Sequence, residues 1–453
     1  MKGCVRIASG QGFWGDLLSA PRDQVRRGPI DYLVMDYLAE VTMSILQKQK
    51  RKDPSLGYAR DLVPLMDELL PLLVEKGIRV ITNGGGVNPA ACRDAIFASA
   101  ARHGIRGLAI GVVTGDDILP RLRDIRSQGA PLANMETGED LSGVMDRVLS
   151  ANVYFGAAPI VRALREGAQI VITGRTTDTG LTLAPMMFEF GWRETDWDLL
   201  AAGTIAGHIL ECGAQSSGGN FSADWRSVPD LAHVGFPIAE ATAGGDVVIT
   251  KHEGSGGLVS VQTVKEQLLY EIGNPAEYIT PDCIADFTTI RLDAEGPDRV
   301  RVSGVRGRPA TTSYKVSMSY LDGYTAIGTL TYAWPDALDK ARAADGILRR
   351  RLSDLGLAFE EIRTEFVGYD SCHGPLAVPP DEINEVVLRI GVRGKEMDAV
   401  ERFGREIAPL ILTGPPSVTG FAGGRPRPSE VIAYWPALIP RTAVTPEVAV
   451  RTT

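Results

Sequence analysis

Short apolar segments alternate with helix-like segments through the first half of the chain. Strands are predicted at VRIAS (5–9), DYLVMDY (31–37), RVITNGGG (79–86), GLAIGVVTGDD (107–117) and QIVITG (169–174). Helices are predicted between them, such as DLVPLMDELLPLLVEKG (61–77), which stops at a glycine typical of a helix C-terminus. Strands separated by helices of this length pair in parallel through right-handed crossovers. The N-terminal half is therefore predicted to be α/β, with a mostly parallel sheet flanked by helices.

The character of the sequence changes after about residue 228. Segments such as VVIT (247–250) and YKVSMSY (314–320) are typical of strands, and a long helix is predicted at 336–356. This pattern indicates a mixed α+β C-terminal region, and so two domains, 1–228 and 229–453. The segment 418–440 is rich in glycine and proline and is expected to be loop or interface. The tail after Pro440 is expected to be frayed.

Charge and cysteine content narrow the possible functions. The net charge is −9 at pH 7, so a broad surface for nucleic acid or an anionic membrane is not expected. The five cysteines are widely spaced and form no CxxC motif, which favours a reduced setting over a disulfide framework. The first residues, MKGCVRIASG, lack an apolar signal core. A cytoplasmic location is therefore predicted.

Polar or glycine-rich sequence follows nearly every predicted strand of the first half. The carboxyl ends of parallel strands lie at one edge of a sheet, where ligands bind in open α/β folds. The set predicts a ligand cleft, although each loop alone could be a simple turn or cap. In TNGGGVNP (82–89) the candidate ligand-binding residues are Asn83, Gly84, Gly85 and Asn88. Asn88 and Pro89 suit the first positions of a helix, whose free N–H groups would point at an anion.

TGRTTDTG (173–180) adds charge to this edge. Arg175 can hold a carboxylate or phosphate through two parallel hydrogen bonds. Asp178 could orient that arginine, act as a base or bind a metal. The alternative is a purely structural Arg–Asp pair.

A helix predicted at 198–213 carries His208, Glu211 and Cys212 at i, i+3 and i+4, and so on one face. Its other residues are mostly apolar, and a buried carboxylate requires a partner. The three side chains are candidate catalytic groups, and a divalent metal is possible because imidazole and thiolate both bind zinc or iron. A structural zinc is not expected, since no second Cys/His cluster follows. The alternative is a core histidine beside a small buried cysteine.

Three further stretches carry candidate residues. QSSGGNF (215–221) offers Ser216, Ser217 and Asn220, whose hydroxyls and nearby amides suit an oxyanion hole or anion nest. TKHEGSGG (250–257) offers His252 and Glu253, which point to opposite faces if the strand continues. GYDSCHGP (368–375) contains Cys372 beside His373, a pair that could include a nucleophile.

As a group, several of these stretches resemble the acyclic terpene utilisation AtuA family. The matching segments are GFWGD, DYLVMDYLAEVTMSIL, VITNGGGVNPAAC, VYFGAAPIVRALREGAQIVITGRTTDTGL, HILECGAQSSGGNF, GFPIAE, TKHEGSGGLVSVQTVKEQLLYEIGNPAEYITPD and YKVSMSYLDGY. The chain departs from the expected family pattern at Thr177 and Thr179, whereas Arg175 and Asp178 agree with it. The resemblance implies a bacterial-type cytoplasmic catabolic protein for branched acyl-CoA thioesters or small carboxylic acids. It also implies a small partner subunit with a ferredoxin-like fold.

The leading functional hypothesis is a lyase or hydratase acting on a hydroxy- or enoyl-carboxylate, free or as a CoA thioester. Arg175 and the glycine-rich loops would hold the anionic group, and Glu211 or His208 would move the proton. The alternatives are a thioesterase- or amidase-like hydrolase using Ser217 or Cys372, and a non-catalytic acyl-CoA-binding subunit. A homo-oligomer is expected in each case.

Overall fold

A computed structural model of the chain describes residues 3–378, 383–420 and 423–453. The chain divides into two compact units. The first contains Met1–Ser319 and Tyr434–Thr453, and the second contains Tyr320–Ala433. The predicted domain boundary between residues 228 and 229 stays a prediction.

Strands and helices alternate along the first part of the chain, whereas strands β9 to β14 follow one another without an α-helix between them. The strands are β1 (Cys4–Gln11), β2 (Tyr32–Met35), β3 (Arg79–Thr82), β4 (Ala109–Thr114), β5 (Val148–Val153), β6 (Ile170–Thr173), β7 (Ile238–Thr242), β8 (Val247–Thr250), β9 (Tyr278–Ile279), β10 (Ile284–Asp286), β11 (Arg291–Gly296), β12 (Arg299–Ser303), β13 (Arg306–Arg308), β14 (Ser313–Ala333), β15 (Glu361–Val367), β16 (Glu385–Gly394), β17 (Val418–Thr419), β18 (Ser429–Pro440) and β19 (Glu447–Thr452). The α-helices are α1 (Ser19–Arg27), α2 (Glu40–Lys52), α3 (Leu62–Lys76), α4 (Pro89–Arg102), α5 (Leu122–Ser127), α6 (Ala158–Arg165), α7 (Gly180–Phe190), α8 (Trp197–Glu211), α9 (Val261–Leu269), α10 (Ala337–Asp354), α11 (Met397–Ile407) and α12 (Leu410–Thr413).

A ten-stranded mixed sheet forms the centre of the first unit, in the order β11-β12-β8-β7-β1-β2-β3-β6-β4-β19. Its five central strands, β1-β2-β3-β6-β4, are all parallel, as the strand–helix alternation predicts. The neighbouring strands β7, β8, β12 and β11 continue the sheet in antiparallel fashion. The mixed α/β fold class is therefore confirmed.

Helices cover both faces of the parallel strands. Along β2, Leu33 and Met35 belong to a core shared with helices α1 to α4, whereas Tyr32 and Val34 belong to a core shared with α6 to α8. This alternation follows from the two-residue period of a strand, which sends successive side chains to opposite faces. Helix α3 ends as predicted, because Gly77 adopts the left-handed conformation with φ 67°.

One sequence prediction about the C-terminal residues is wrong, and another is incomplete. The tail after Pro440 is not frayed, because β19 pairs antiparallel with β4 from Glu447–Thr114 to Thr452–Ala109. The glycine- and proline-rich segment contains strands β17 and β18 rather than loop alone. Backbone pairing to a distant strand stabilises both regions, and local composition does not report such pairing.

The second unit has its own layer of helix on sheet. Strand β16 lies between β14 and β15 and is antiparallel to both. Apolar residues of α10 and α11, such as Leu348 and Phe403, pack into a core with Leu388 and Ile390 of β16. Across the described parts of both units, no helix combines the length and apolar character needed to cross a membrane.

Candidate functional site

The carboxyl ends of the five parallel strands place polar side chains along one edge of the sheet. The residues that follow these strands include Gly12 after β1, Asp36 after β2, Asn83 after β3, Asp116 after β4 and Arg175 after β6. All but Gly12 are connected by hydrogen bonds or close electrostatic interactions. This group forms the floor of the candidate site.

Asp36 and Asn83 form a buried pair. Asn83 Nδ2 donates to Asp36 Oδ1 at 2.6 Å, and Asn83 Oδ1 accepts from the N–H of Tyr37 at 2.7 Å. Burial raises the pKa of Asp36 well above its usual value, and the charge of Asp178 raises it further. The guanidinium of Arg175 opposes only part of that rise. Asp36 is therefore a carboxyl group that tends to keep its proton.

Arg175 is the central cation of the edge. Its side chain is 2% exposed, and its Nη1 donates to the carbonyl of Leu38 at 2.7 Å and to Asp178 Oδ1 at 2.9 Å. The guanidinium lies 4.2 Å from the centre of the Tyr154 ring. Burial lowers the pKa of Arg175, but the charge of Asp178 and its neighbours raises it by more. The pKa therefore lies above its usual value, and the group stays charged. Its Nε is buried and has no partner among the described residues, which leaves one donor for a ligand.

Tyr154 and Glu40 add a second pair beside Arg175. The Tyr154 hydroxyl donates to Glu40 Oε1 at 2.7 Å, and Lys315 Nζ lies 3.9 Å from the same oxygen. Burial would raise the pKa of Glu40, but the hydrogen bond from Tyr154 and the charge of Arg175 lower it. Glu40 is thus a carboxylate, in contrast to Asp36.

Asp116 supports the loop that carries Arg175. Its Oδ2 accepts from the backbone N–H of Arg175 at 2.8 Å and from Asn152 Nδ2 at 2.9 Å. A Cβ on Gly174 would overlap the Asp116 carboxyl, so a glycine is required there. Burial raises the pKa of Asp116 to about 7, against the opposing effect of these hydrogen bonds.

Helix α8 approaches the same edge through a glycine contact. A Cβ on Gly207 would lie 2.5 Å from the carbonyl oxygen of Thr179, so the glycine allows α8 to pack directly on the start of α7. This contact brings the C-terminal turn of α8, with Glu211, close to the loop of Asp178, whose charge helps to raise the pKa of Glu211.

His208 and Glu211 form a hydrogen-bonded pair, as their i, i+3 spacing predicts. His208 Nδ1 lies 2.8 Å from Glu211 Oε1, and Nε2 lies 3.0 Å from the carbonyl oxygen of Gln267. Because a carbonyl only accepts, Nε2 carries a proton, and one further proton is shared between Nδ1 and the carboxyl group. Burial would lower the pKa of His208, but Glu211 outweighs it and the pKa is raised. Burial is the main reason that the pKa of Glu211 is raised.

Aromatic rings enclose the imidazole. The ring of His208 lies 5.5 Å from that of Tyr278 and 5.3 Å from that of Phe287, centre to centre. Both of its nitrogens are occupied, so His208 positions Glu211 rather than facing a ligand itself. The side chain of Glu211 is 15% exposed, compared with 2% for His208.

Cys212 is a thiol rather than a thiolate. Burial, followed by the charge of Glu211, raises its pKa to about 12. A Cβ on Gly12 would lie 2.9 Å from the backbone of Glu211 and Cys212, so the loop after β1 covers this end of α8. These surroundings do not support the predicted catalytic role of Cys212.

The serines after α8 lie in a short 3₁₀ helix, Gly213–Ser217. Ser216 and Ser217 are fully buried, and neither hydroxyl has a partner within the described ranges. Asn220 is exposed and has a φ of 53°. The two hydroxyls are available to an acceptor, whereas Asn220 faces solvent.

The glycines of the TNGGGVNP loop pack closely against other parts of the protein. A Cβ on Gly84 would lie 2.8 Å from the side chain of Leu62, and one on Gly85 would lie 2.6 Å from the carbonyl oxygen of Thr173. Asn88 is the N-cap of α4 with Pro89 at N1, as expected, but its side chain does not cap the helix.

Instead, Asn88 Nδ2 donates to the carbonyls of Pro54 and Leu56 at 2.9 and 2.8 Å. The N–H groups of Gly86, Val87 and Asn88 itself already donate to backbone carbonyls. The loop therefore has a structural role, and ligand binding by Gly84, Gly85 and Asn88 stays a prediction.

His252 and Glu253 lie beside helix α1. His252 Nε2 is 3.2 Å from the carbonyl oxygen of Gln24, and burial lowers the pKa of His252. Glu253 is exposed. In the described parts of the chain, no hydrogen bond or ion pair connects either residue with Arg175 or Glu211.

Two other predictions concern the Cys372–His373 pair and a divalent metal. Cys372 is exposed and lies in the second unit after β15, as does its neighbour His373. Within the residues that the structure describes, no group of three or more His, Cys, Asp or Glu side chains is arranged to hold a metal ion. The predicted divalent metal therefore gains no support from this geometry.

Several site residues were not identified from the sequence. Asp36 lies at the end of the predicted strand DYLVMDY and Glu40 in the sequence that follows it, but this pattern does not single out either carboxyl. Tyr154, Asp116 and Tyr278 contribute through burial and contacts across the fold, which single-sequence patterns do not reveal. One usable signal was the position of Asp36, immediately after a fully buried strand.

The fold and site define an α/β protein with a buried, charged cluster at the carboxyl edge of its parallel strands, the position at which such folds bind small ligands. The chain belongs to the family described as acyclic terpene utilisation family protein AtuA, whose family model matches residues 5–450. Comparison with curated proteins gave no significant match, and neither did comparison with solved structures.

Proposed function

We propose that this protein is a catabolic enzyme, a lyase or hydratase that acts on a hydroxy- or enoyl-carboxylate, free or as its CoA thioester. The family supports a role in acyclic terpene utilisation. The observation that carries the proposed chemistry is the buried guanidinium of Arg175, with an unpartnered Nε, beside carboxyl groups of raised pKa.

Arg175 would stabilise the oxygen that gains negative charge. A buried guanidinium N–H forms a charge-assisted hydrogen bond, which is roughly twice as strong as a neutral one. Asp178 and the carbonyl of Leu38 hold the other side of the guanidinium in place at 2.9 and 2.7 Å. The group is therefore oriented before a ligand arrives, which is the property that makes electrostatic stabilisation effective.

Glu211 would accept the proton from the α-carbon of a hydroxy-carboxylate. The α-C–H bond breaks, its proton moves to the Glu211 carboxylate, and the charge passes to the oxygen held by Arg175. His208 is a positioning residue in this scheme, because it holds Glu211 Oε1 at 2.8 Å and has no free nitrogen.

Asp36 would supply the second proton. The β-hydroxyl group leaves with this proton as water, and the enoyl product forms. Burial and Asp178 raise the pKa of Asp36, so it keeps its proton to a higher pH than an ordinary aspartic acid, which suits a proton donor. Hydration is the same sequence in reverse.

Two alternatives have weaker support. A hydrolase using Ser217 needs a base on its hydroxyl, and Ser217 Oγ has no hydrogen-bond partner among the described residues. Cys372 is exposed in the second unit. A non-catalytic acyl-CoA-binding subunit would use Arg175 alone and would not need Glu211. A small ferredoxin-like partner and a homo-oligomer both stay predictions.

Deuterium exchange tests the proposal. The protein is incubated in D₂O with a panel of 3-hydroxy- and 2-enoyl-carboxylates, free and as CoA thioesters, and followed by proton NMR. We expect deuterium at C2 together with interconversion of the hydroxy and enoyl forms. Release of free CoA thiol without exchange would replace the proposal with the hydrolase, and binding without either reaction would favour the subunit.

A further inference from the structure

A cavity of about 670 Å³ lies in the first unit, apart from the charged cluster. It is lined by the outer face of α6, the segment between α7 and α8, the turn before β10, and residues near β14 and β19. None of the charged groups of the candidate site lines it. Its volume falls within the range of roughly 300 to 1,000 Å³ typical of small-molecule sites.

Three arginines at this cavity have no carboxylate partner within the described ranges. Arg162 and Arg165 lie one helical turn apart on α6, so their like charges are close together. Arg162 makes only a 3.3 Å contact with the carbonyl of Pro446, and Arg165 has no hydrogen bond in the described parts of the chain. Arg441 donates to the carbonyls of Thr311 and Pro281. The charge of Arg441 also acts on the Asp282 carboxyl, whose pKa it lowers, so Arg162 and Arg165 are the less compensated pair. Guanidinium groups of this kind around a concave surface favour an anion, and phosphate in particular.

Asp282 gives the cavity a hydrogen-bond acceptor. Its Oδ1 accepts from the N–H of Ala157 at 2.8 Å. Its Oδ2 is buried and has no partner among the described residues. Burial raises the pKa of Asp282 to about 6, so the group is ionised at pH 7.5 and accepts a hydrogen bond. A buried acceptor of this kind needs a donor, and an amino group of a ligand could provide it.

Aromatic side chains complete the lining. Trp197 and Tyr314 are half-buried and line the cavity, and the guanidinium of Arg441 lies 4.4 Å from the centre of the Tyr314 ring. Aromatic faces bind flat heteroaromatic rings by stacking, and every nucleic-acid base has such a face. The cavity thus combines groups suited to phosphate, to an amino donor and to a planar ring.

We propose that this cavity binds a purine nucleotide. The phosphates lie against Arg162, Arg165 and Arg441, the base lies against Trp197, and an amino group of the base donates to Asp282 Oδ2. The proposal does not rest on the function proposed for the Arg175 cluster. Phe155 lines this cavity and the preceding Tyr154 contacts Arg175, so the same short segment after β5 contributes a residue to each site.

Isothermal titration with ADP tests the proposal, with pyrophosphate as the matched probe that lacks the base. We expect ADP to bind the full-length protein, and Arg165→Gln to weaken it at least tenfold, because one charge-assisted contact with phosphate is lost. Asp282→Asn should weaken ADP and leave pyrophosphate within about twofold, since only the base would contact that side chain. Arg106→Gln is the control, as Arg106 is also an exposed arginine but does not line the cavity.

Three outcomes would overturn the proposal. The first is no heat of ADP binding at concentrations up to a few millimolar. The second is an equal loss of ADP affinity in Arg165→Gln and Arg106→Gln, which would indicate general charge attraction. The third is pyrophosphate binding as tightly as ADP, with Asp282→Asn affecting neither, which would leave a phosphate site without recognition of a base. Arg165 is exposed, so its variant is expected to fold even if Asp282→Asn does not.

Discussion

The loops that follow β3 and β6 occupy similar places in the fold but have different roles. Both come after buried parallel strands, both contain glycine, and both lead into a helix. In the β3 loop, Gly84 and Gly85 allow other parts of the protein to approach the backbone closely. In the β6 loop, Gly174 makes room for Asp116, and Arg175 keeps an unpartnered donor.

The difference shows what a glycine and a buried charge each indicate about their surroundings. A glycine reports that something approaches the backbone closely, but it does not identify the neighbour. A buried charge is costly unless it is paired, so a buried cation with an unpartnered N–H indicates a missing acceptor. The β6 loop is therefore the better predictor of a ligand, and variants of the two loops should behave differently.

The largest expected effect belongs to Glu211→Gln. If Glu211 carries the proton, this change should lower the rate of C2 exchange by roughly 10²–10⁴, the usual contribution of general acid–base catalysis. Glutamine preserves the shape and can still contact His208 Nδ1, so ligand binding should stay within a few fold. An unchanged exchange rate in the folded variant would remove Glu211 from the mechanism.

The unfolding free energy should depend on pH through Asp116, which supports the β6 loop. Its pKa is raised to about 7 in the folded state. The pKa of the same group in the unfolded chain is near 4, so protonated Asp116 stabilises the fold at pH values below 4. This stabilisation is lost as the pH rises from 4 through 7. Asp116→Asn does not titrate, so its unfolding free energy relative to the wild type should increase by roughly 3 kcal/mol between pH 4 and 7, at about 1.4 kcal/mol per pKa unit.

Urea unfolding at several pH values measures this difference. Asp124→Asn, at an exposed position on α5, is the control and should show no such trend. A constant difference between Asp116→Asn and the wild type across the range would show that Asp116 does not titrate as described.

In the β3 loop, Gly85→Ala should affect stability rather than chemistry. The new methyl group would lie 2.6 Å from the carbonyl oxygen of Thr173 and 2.7 Å from Ile172, so the backbone must shift. We expect a loss of about 1–3 kcal/mol of unfolding free energy, as for other overpacked sites. Denaturant unfolding measures this loss, and Gly244→Ala, where a Cβ meets open space, is the control. Full stability of Gly85→Ala would contradict the packing described.

Asn88→Ala should have the smallest effect. It removes two hydrogen bonds to the carbonyls of Pro54 and Leu56, at a cost of about 1–2 kcal/mol. The rate of C2 exchange should stay within twofold of the wild type, measured at a temperature at which both proteins are folded. A large loss of exchange would restore the β3 loop to the ligand site.

The sequence predicts the parallel core well because periodicity and helix ends are local signals. Helix α3 ends at Gly77 as expected, and α8 covers Trp197–Glu211, close to the predicted 198–213. Pairing of β19 with β4 was missed, because a short exposed strand gains its stability from a partner more than 300 residues away. The His208–Glu211 pair was predictable from its spacing. The raised pKa of Asp36 was not, because it depends on burial and on Asp178.

The central claim is that the charged cluster after β6, and not the glycine loop after β3, binds the substrate anion. The most direct test is the rate of C2 deuterium exchange across the hydroxy- and enoyl-carboxylate panel for Arg175→Lys and Asn88→Ala, with folding checked by circular dichroism. Lysine keeps the charge but has no Nε–H in that geometry, so we expect Arg175→Lys to lose at least a hundredfold in rate while Asn88→Ala stays within twofold. Exchange by Arg175→Lys at the wild-type rate would contradict the claim.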